Sequence, residues 1–199
     1  DASLDSGAYG LYPVGCTDVL IDTCIVKGAR DAGIYVGQSS KILIKDSEAY
    51  GNVAGIEVEN STDAEVVNNH VHDNTAGILV FNLPNLTVQD GKRAKIHGNK
   101  VEKNNQLNFG VAGTTVAKVP EGIGIMVLAW DDNEVHDNDI ASNNSVGVLV
   151  VNYIEDLFGM PNDPAYDKFP EGNFIHDNTF TGNGTKPNIL IAGASGGID

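Results

Sequence analysis

Three histidines stand at one place in a repeated phrase: Ile96-His97-Gly98-Asn99, Val135-His136-Asp137-Asn138 and Ile175-His176-Asp177-Asn178. Imidazole changes charge near neutral pH and is a common transition-metal ligand. In register on neighbouring elements, His97, His136 and His176 would offer metal ligands, and His136 or His176 a proton-transfer group. The competing reading is a surface column copied by duplication, because no two of them have a chelating spacing. Carboxylates lie close by: Asp131 and Asp132 follow Trp130, and segment 152–172 carries Glu155, Asp156, Asp163, Asp167 and Glu171 with Tyr153 and Tyr166. Flat apolar rings beside polar groups suit a sugar. Trp130, Asp131, Asp132, Tyr153 and Tyr166 are therefore the expected ligand contacts, and Asp163 and Asp167 candidate catalytic acids beside His136 and His176. The same oxygens suit Ca²⁺, although no EF-hand or nonapeptide calcium phrase occurs. His70 and His72, either side of Val71, read as solvated.

The elements that must position these groups come from a repeat. Gly33-Ile34-Tyr35-Val36, Gly55-Ile56-Glu57-Val58, Gly77-Ile78-Leu79-Val80, Gly124-Ile125-Met126-Val127 and Gly147-Val148-Leu149-Val150 recur, with a weaker copy at Gly10 and a degenerate one at Asn188-Ile189-Leu190-Ile191. The glycines step by 22 or 23 residues except where insertions intervene. Between these phrases lie two further alternating runs, such as Ala64–Asn69 and Asn69–Asn74. Period-two alternation is strand chemistry, and three short strands per unit that cannot bury its inner face alone make one rung of a stacked coil. The expected fold is all-β, a single-stranded parallel β-helix, right-handed by the crossover rule, of about seven rungs.

Two inward columns follow from the register: Ile21, Ile44, Val66, Ile96, Val135, Ile175 and Val26, Ala49, Val71, Val101, Ile140, Phe180. Two corner columns follow as well: Cys24, Ser47, Asn69, Asn99, Asn138, Asn178 and Cys16, Gln38, Asn60, Asn82, Asn152. The chain has 21 Asn, and stacked corner amides that bond along the coil account for most of them. Insertions fall at 81–91, 105–121 and 152–172. The first and third leave the same corner two rungs apart, so they are expected to flank Trp130 and form a shallow cleft next to the histidine column.

The chain has 199 residues, enough for one domain, and its formal charge of -15 excludes nucleic-acid binding and simple docking on anionic lipid. It contains no apolar run long enough to span a bilayer. Cys16 and Cys24 bracket a strand, roughly 25 Å apart at about 3.3 Å per residue, too far for a disulfide. The four Asn-x-Ser/Thr triplets are expected by chance in so Asn-rich a chain.

The phrases Asp31–Ser39, Asn52–Ser61, Gly77–Pro84 and Val119–Gly122 resemble a family of bacterial exported parallel β-helix repeat proteins within the pectate-lyase-like superfamily. The resemblance spans about Gly10 to Tyr153. It implies a secreted, periplasmic or cell-surface protein cut from a longer precursor, and it carries over no catalytic residues. Three functions are expected. The first is binding of a glycan or another exported protein in the loop-lined cleft. The second is a polysaccharide lyase or glycoside hydrolase, for which His136→Ala would abolish turnover. The third is a metal-binding protein using the histidine column. Open coil ends expose pairing edges, so end-on association is expected.

Overall fold

The computed structural model describes residues 2–3, 7–159 and 161–194. All strand pairs are parallel, and they form three sheets. Six strands form the histidine sheet: Thr17–Asp22, Ser40–Lys45, Thr62–Val67, Lys92–His97, Glu134–His136 and Phe174–His176. Seven form a sheet of short strands, mostly of three residues, from Ala2–Ser3 through Ile25–Lys27, Glu48–Tyr50, His70–His72, Lys100–Glu102 and Asp139–Ala141 to Thr179–Thr181. Five form the apolar sheet: Ala32–Gly37, Ala54–Glu59, Ala76–Phe81, Ile123–Leu128 and Val146–Val151. The chain visits the three sheets in turn and pairs each strand with its counterpart one rung on, which is a parallel β-helix.

Backbone chirality makes the corners. Between the histidine sheet and the short strands, Thr23, Asp46, Asn68, Gly98, Asp137 and Asp177 all have φ between 50° and 63°. Between the short strands and the apolar sheet, Gly28, Gly51, Asp73, Lys103, Ser142 and Gly182 repeat the left-handed turn. Gly, Asn and Asp, which tolerate this region best, fill most of these places. The next residue at each corner points inward and feeds a ladder. Asn69, Asn99, Asn138 and Asn178 bond amide to amide at 2.9–3.0 Å. The column continues up through Ser47 to the N–H of Cys24, as the repeat predicts. A second ladder, not among the expected columns, runs Asn52, Asn74, Asn104, Asn143, Asn183 at 2.9–3.1 Å. Each rung amide also donates to a buried strand carbonyl, for example Asn104 to Val71. These bonds satisfy polar groups that the coil removes from water.

Both expected inward columns are observed in register. The other expected corner column is corrected. The first step there is 23 residues, so the N–H of Cys16 meets the Ser39 hydroxyl, and the N–H of Ser39 meets that of Ser61. Asn60 and Asn82 do not bond to each other; their amides hold loop carbonyls, Leu83 and Val88 for one and Gly91 and Ala129 for the other. The degenerate phrase at Asn188 is also corrected: Ile189–Ala194 is a short helix, and Asn188 Oδ1 accepts the Leu190 N–H at its start.

There are two apolar cores. One fills the coil and includes Ile44, Ile56, Ile78, Ile96, Ile125 and Trp130. Gly77 belongs to its wall: a Cβ there would collide with the Gly124 carbonyl and stand 2.8 Å from Val101. The second core lies outside the coil, on the outer face of the apolar sheet. Insertions 105–121 and 152–172 cover it with Val116, Val119, Tyr153 and Tyr166. Strands covered on both faces become continuous apolar runs, which is the character of Ile123–Leu128. Among the described residues, no helix is long and apolar enough to cross a membrane.

Candidate functional site

The outer face of the apolar sheet presents two columns. Tyr35, Glu57, Leu79, Met126 and Leu149 form one, and Gly37, Glu59, Phe81, Leu128 and Val151 the other. Over their first four rungs the loops leave a cavity of about 280 Å³. Thr114, Val116 and Val119 from one insertion and Phe158 from the other roof it, and Tyr9, Asp31, Glu57 and Glu59 stand on its polar side. The roof has its own fixings. The Asn108 amide donates to the carbonyls of Val116 and Val119 at 2.9 and 2.8 Å, and Lys118 Nζ donates to the Leu157 carbonyl at 3.0 Å. Tyr9, Tyr12 and Tyr35 pack ring on ring at 4.3–5.1 Å beside the acids.

The three carboxyls are not equivalent. Glu57 is 4% exposed and makes no hydrogen bond among the described residues. Burial, and then the charges of Asp31 and Glu59, push it well above the ordinary carboxylate value. Glu59 is also raised by burial, but the Tyr35 hydroxyl donates to it and opposes the shift. Asp31 is raised by burial and opposed by a hydrogen bond from the Tyr9 hydroxyl. Burial, and then the same acids, push both phenols up. Carboxyls whose surroundings separate their affinities for a proton are the usual basis of an acid–base pair. All three are pushed up by burial, and only Glu59 and Asp31 have a tyrosine hydrogen bond that opposes the push.

The residues expected from sequence fall elsewhere. Trp130 is fully buried inside the coil, so it is no ligand contact, and its indole N–H has no partner among the described residues. Tyr153 and Tyr166 are buried under their own loop, edge to face at 5.4 Å, and the Tyr166 hydroxyl donates to the Asn82 carbonyl. Insertions 81–91 and 152–172 close on each other instead of flanking a cleft. Asp163 accepts from the Asn85 N–H and the Gln89 amide, binding the two loops together. Asp167 caps the Phe169 N–H, and Asp131 accepts from the Glu171 N–H at 2.7 Å. These carboxylates brace backbone and do not converge on one point. Asp132 sits at the same corner with φ 55°.

His97, His136 and His176 stack as expected, ring centroids 4.8 and 5.0 Å apart and planes within 4°. Parallel rings aim their lone pairs along parallel lines, so they cannot meet at one ion. Carboxylates engage them instead: Glu65 at His97, Asp137 at His136, and both Asp177 and Glu134 at His176. The histidines lie on a different sheet from the acidic cavity. One sequence signal does point to that cavity: in the phrase Gly-Ile-x-Val the third residue is Tyr, Leu, Met or Leu on the other rungs, and only Glu57 puts a charge there.

With three parallel sheets, one coil and two asparagine ladders described, comparison with known families is decisive. The right handed beta helix region matches residues 3–154. The chain belongs to that family. Comparison with curated proteins and with solved structures returned no match. The β-helix match covers all five strands of the apolar sheet and insertion 105–121, and it ends before most of insertion 152–172. The acids of the cavity therefore stand on the β-helix itself, while Phe158 of its roof lies beyond the match.

Proposed function

We propose that this β-helix protein binds a saccharide in the acidic cavity and cleaves its glycosidic bond by acid–base catalysis. The observation that carries the reading is Glu57: a buried carboxyl with no hydrogen bond among the described residues, facing a cavity, beside two carboxyls that each have a tyrosine donor. The protonated Glu57 gives its proton to the glycosidic oxygen as the bond from that oxygen to the anomeric carbon breaks. Water adds to the anomeric carbon, and Glu59 or Asp31 takes the proton the water loses. The volume, about 280 Å³, suits one sugar ring. Three acids and a formal charge of -15 favour a neutral or amino sugar over a uronate. The likeness of the repeat phrases to exported β-helix proteins supports a place outside the cytosol.

The test is release of reducing ends from a panel of neutral and amino-sugar polysaccharides. Wild type should cleave at least one, and Glu57→Gln should still bind it but release nothing. Failure of the wild type to bind any member would overturn the proposal. Binding without cleavage is the second reading, and the apolar lining by Leu79, Met126, Leu128 and Phe158 favours it. Wild-type binding with no reducing ends released would establish that reading.

A further inference from the structure

The sheet of short strands carries a second histidine group. Register places Glu48, His70 and Lys100 in one outward row and Tyr50, His72 and Glu102 in the next. His70 and His72 are two apart on one strand and so share a face. Their rings stack 4.1 Å apart with planes 28° from parallel. Tyr50 stacks on His72 at 5.2 Å and fixes its plane.

Each imidazole has one nitrogen engaged by an outer carboxylate. His70 Nε2 meets Glu102 Oε1 at 3.0 Å, and His72 Nδ1 meets Asp73 Oδ2 at 2.8 Å. The remaining nitrogens face Glu48 Oε1, at 3.1 Å from His72 Nε2 and 4.0 Å from His70 Nδ1. A carboxylate behind each imidazole is how metal-binding histidines are held in one tautomer with the other nitrogen free. Glu102 is suited to this role. Lys100 Nζ donates to the same Glu102 Oε1 at 2.6 Å and holds it in place behind His70.

We propose that Glu48, His70 and His72 bind a divalent transition metal of the Zn²⁺ class. Two imidazoles and one carboxylate are a known ligand set for zinc with an open fourth position. One ligand atom from each residue already lies within 4.8 Å of the others. Tetrahedral zinc with bonds of about 2.0–2.1 Å wants neighbours roughly 3.3 Å apart, so His70 Nδ1, now 4.0 Å from Glu48 Oε1, must draw in by about 0.7 Å. The side chains are 17–38% exposed, which leaves the fourth position to water or a ligand. The site is on a different sheet from the acidic cavity and does not depend on that reading.

Titration calorimetry with ZnCl₂ on the metal-free full chain tests the proposal. One Zn²⁺ per chain should bind, and His72→Ala and Glu48→Gln should each abolish that isotherm. Asp73→Asn should weaken it by about 10- to 100-fold, while His136→Ala should leave it unchanged. Histidine ring signals in NMR provide a second readout: Zn²⁺ should move those of His70 and His72 and leave those of His97 and His136 in place. No saturable binding to wild type, or binding that survives His72→Ala, would overturn the proposal, as would loss of binding in His136→Ala.

Discussion

Replacing Glu57 by Leu should make the protein more stable. Its row neighbours are Tyr35 and Leu79, so a leucine continues an apolar column already packed by the second core. The wild-type carboxyl is largely, though not wholly, removed from water and has no hydrogen bond among the described residues, which costs at most about 1–3 kcal/mol. A chain of this size gains roughly 2–4 °C per kcal/mol, so the thermal midpoint should rise by about 2–12 °C. The gain should also depend on pH. The folded-state affinity of Glu57 for its proton lies well above that of an ordinary glutamate near 4.5. Between the unfolded and folded values the folded chain therefore binds more protons. Stability then falls as pH rises, by up to about 1.4 kcal/mol per pH unit for this one group. Glu59 and Asp31 are shifted in the same direction and remain in the variant, so the slope should shrink without vanishing. Urea midpoints at pH 5 and pH 8, for wild type and variant, measure both effects. A variant no more stable than wild type, with an unchanged pH slope, would refute the reading of Glu57 as an unpartnered buried acid. Catalysis should be lost with the same substitution, as expected where strain is held at a working site.

Asn104→Ala should cost about 2–5 kcal/mol by urea denaturation, because it leaves the Asn74 backbone N–H and side-chain amide without acceptors inside the coil; Asn183→Ala, at the partly exposed end of that ladder, should cost less. His176 should titrate above the ordinary histidine value of 6.5 by NMR, held up first by Asp177 and then by Glu134. Its stabilising effect is complete below that ordinary value and is lost as pH rises through the folded one, and Asp177→Asn should bring the titration back down. His136→Ala should keep both the β-sheet circular dichroism and any hydrolytic activity, since its ring stacks between His97 and His176 on a sheet away from the acids. Phe174 and Phe180 are more than half exposed on the last rung, so sedimentation should show concentration-dependent self-association that Phe180→Asp weakens.

Period and composition made the coil legible because each rung repeats one pattern of inward residues, left-handed corners and ladder amides. Ile44, Val66 and Ile96 share a register that follows from counting alone. The ladder through Asn69 and Asn99 follows in the same way. Where step length changes, counting fails: the step from Cys16 to Ser39 shifted one corner column by a residue. Counting also fails where the phrase survives but the rung does not, as at Ile189–Ala194.

The sequence by itself determined the parallel β-helix, its inner columns and the stacked histidines, because these depend on contacts between units a fixed distance apart in the chain. Only the tertiary structure decided where the functional chemistry could be. Insertions of irregular length have no period to read, and they folded over the apolar sheet, burying Tyr153 and Tyr166 and tying Asp163 to the neighbouring loop. The same folding enclosed Glu57 beside Glu59 and Asp31. A carboxylate on a solvated strand and one under a roof look alike in a sequence, and removal from water, which requires the whole fold, is what makes the second a reactive acid.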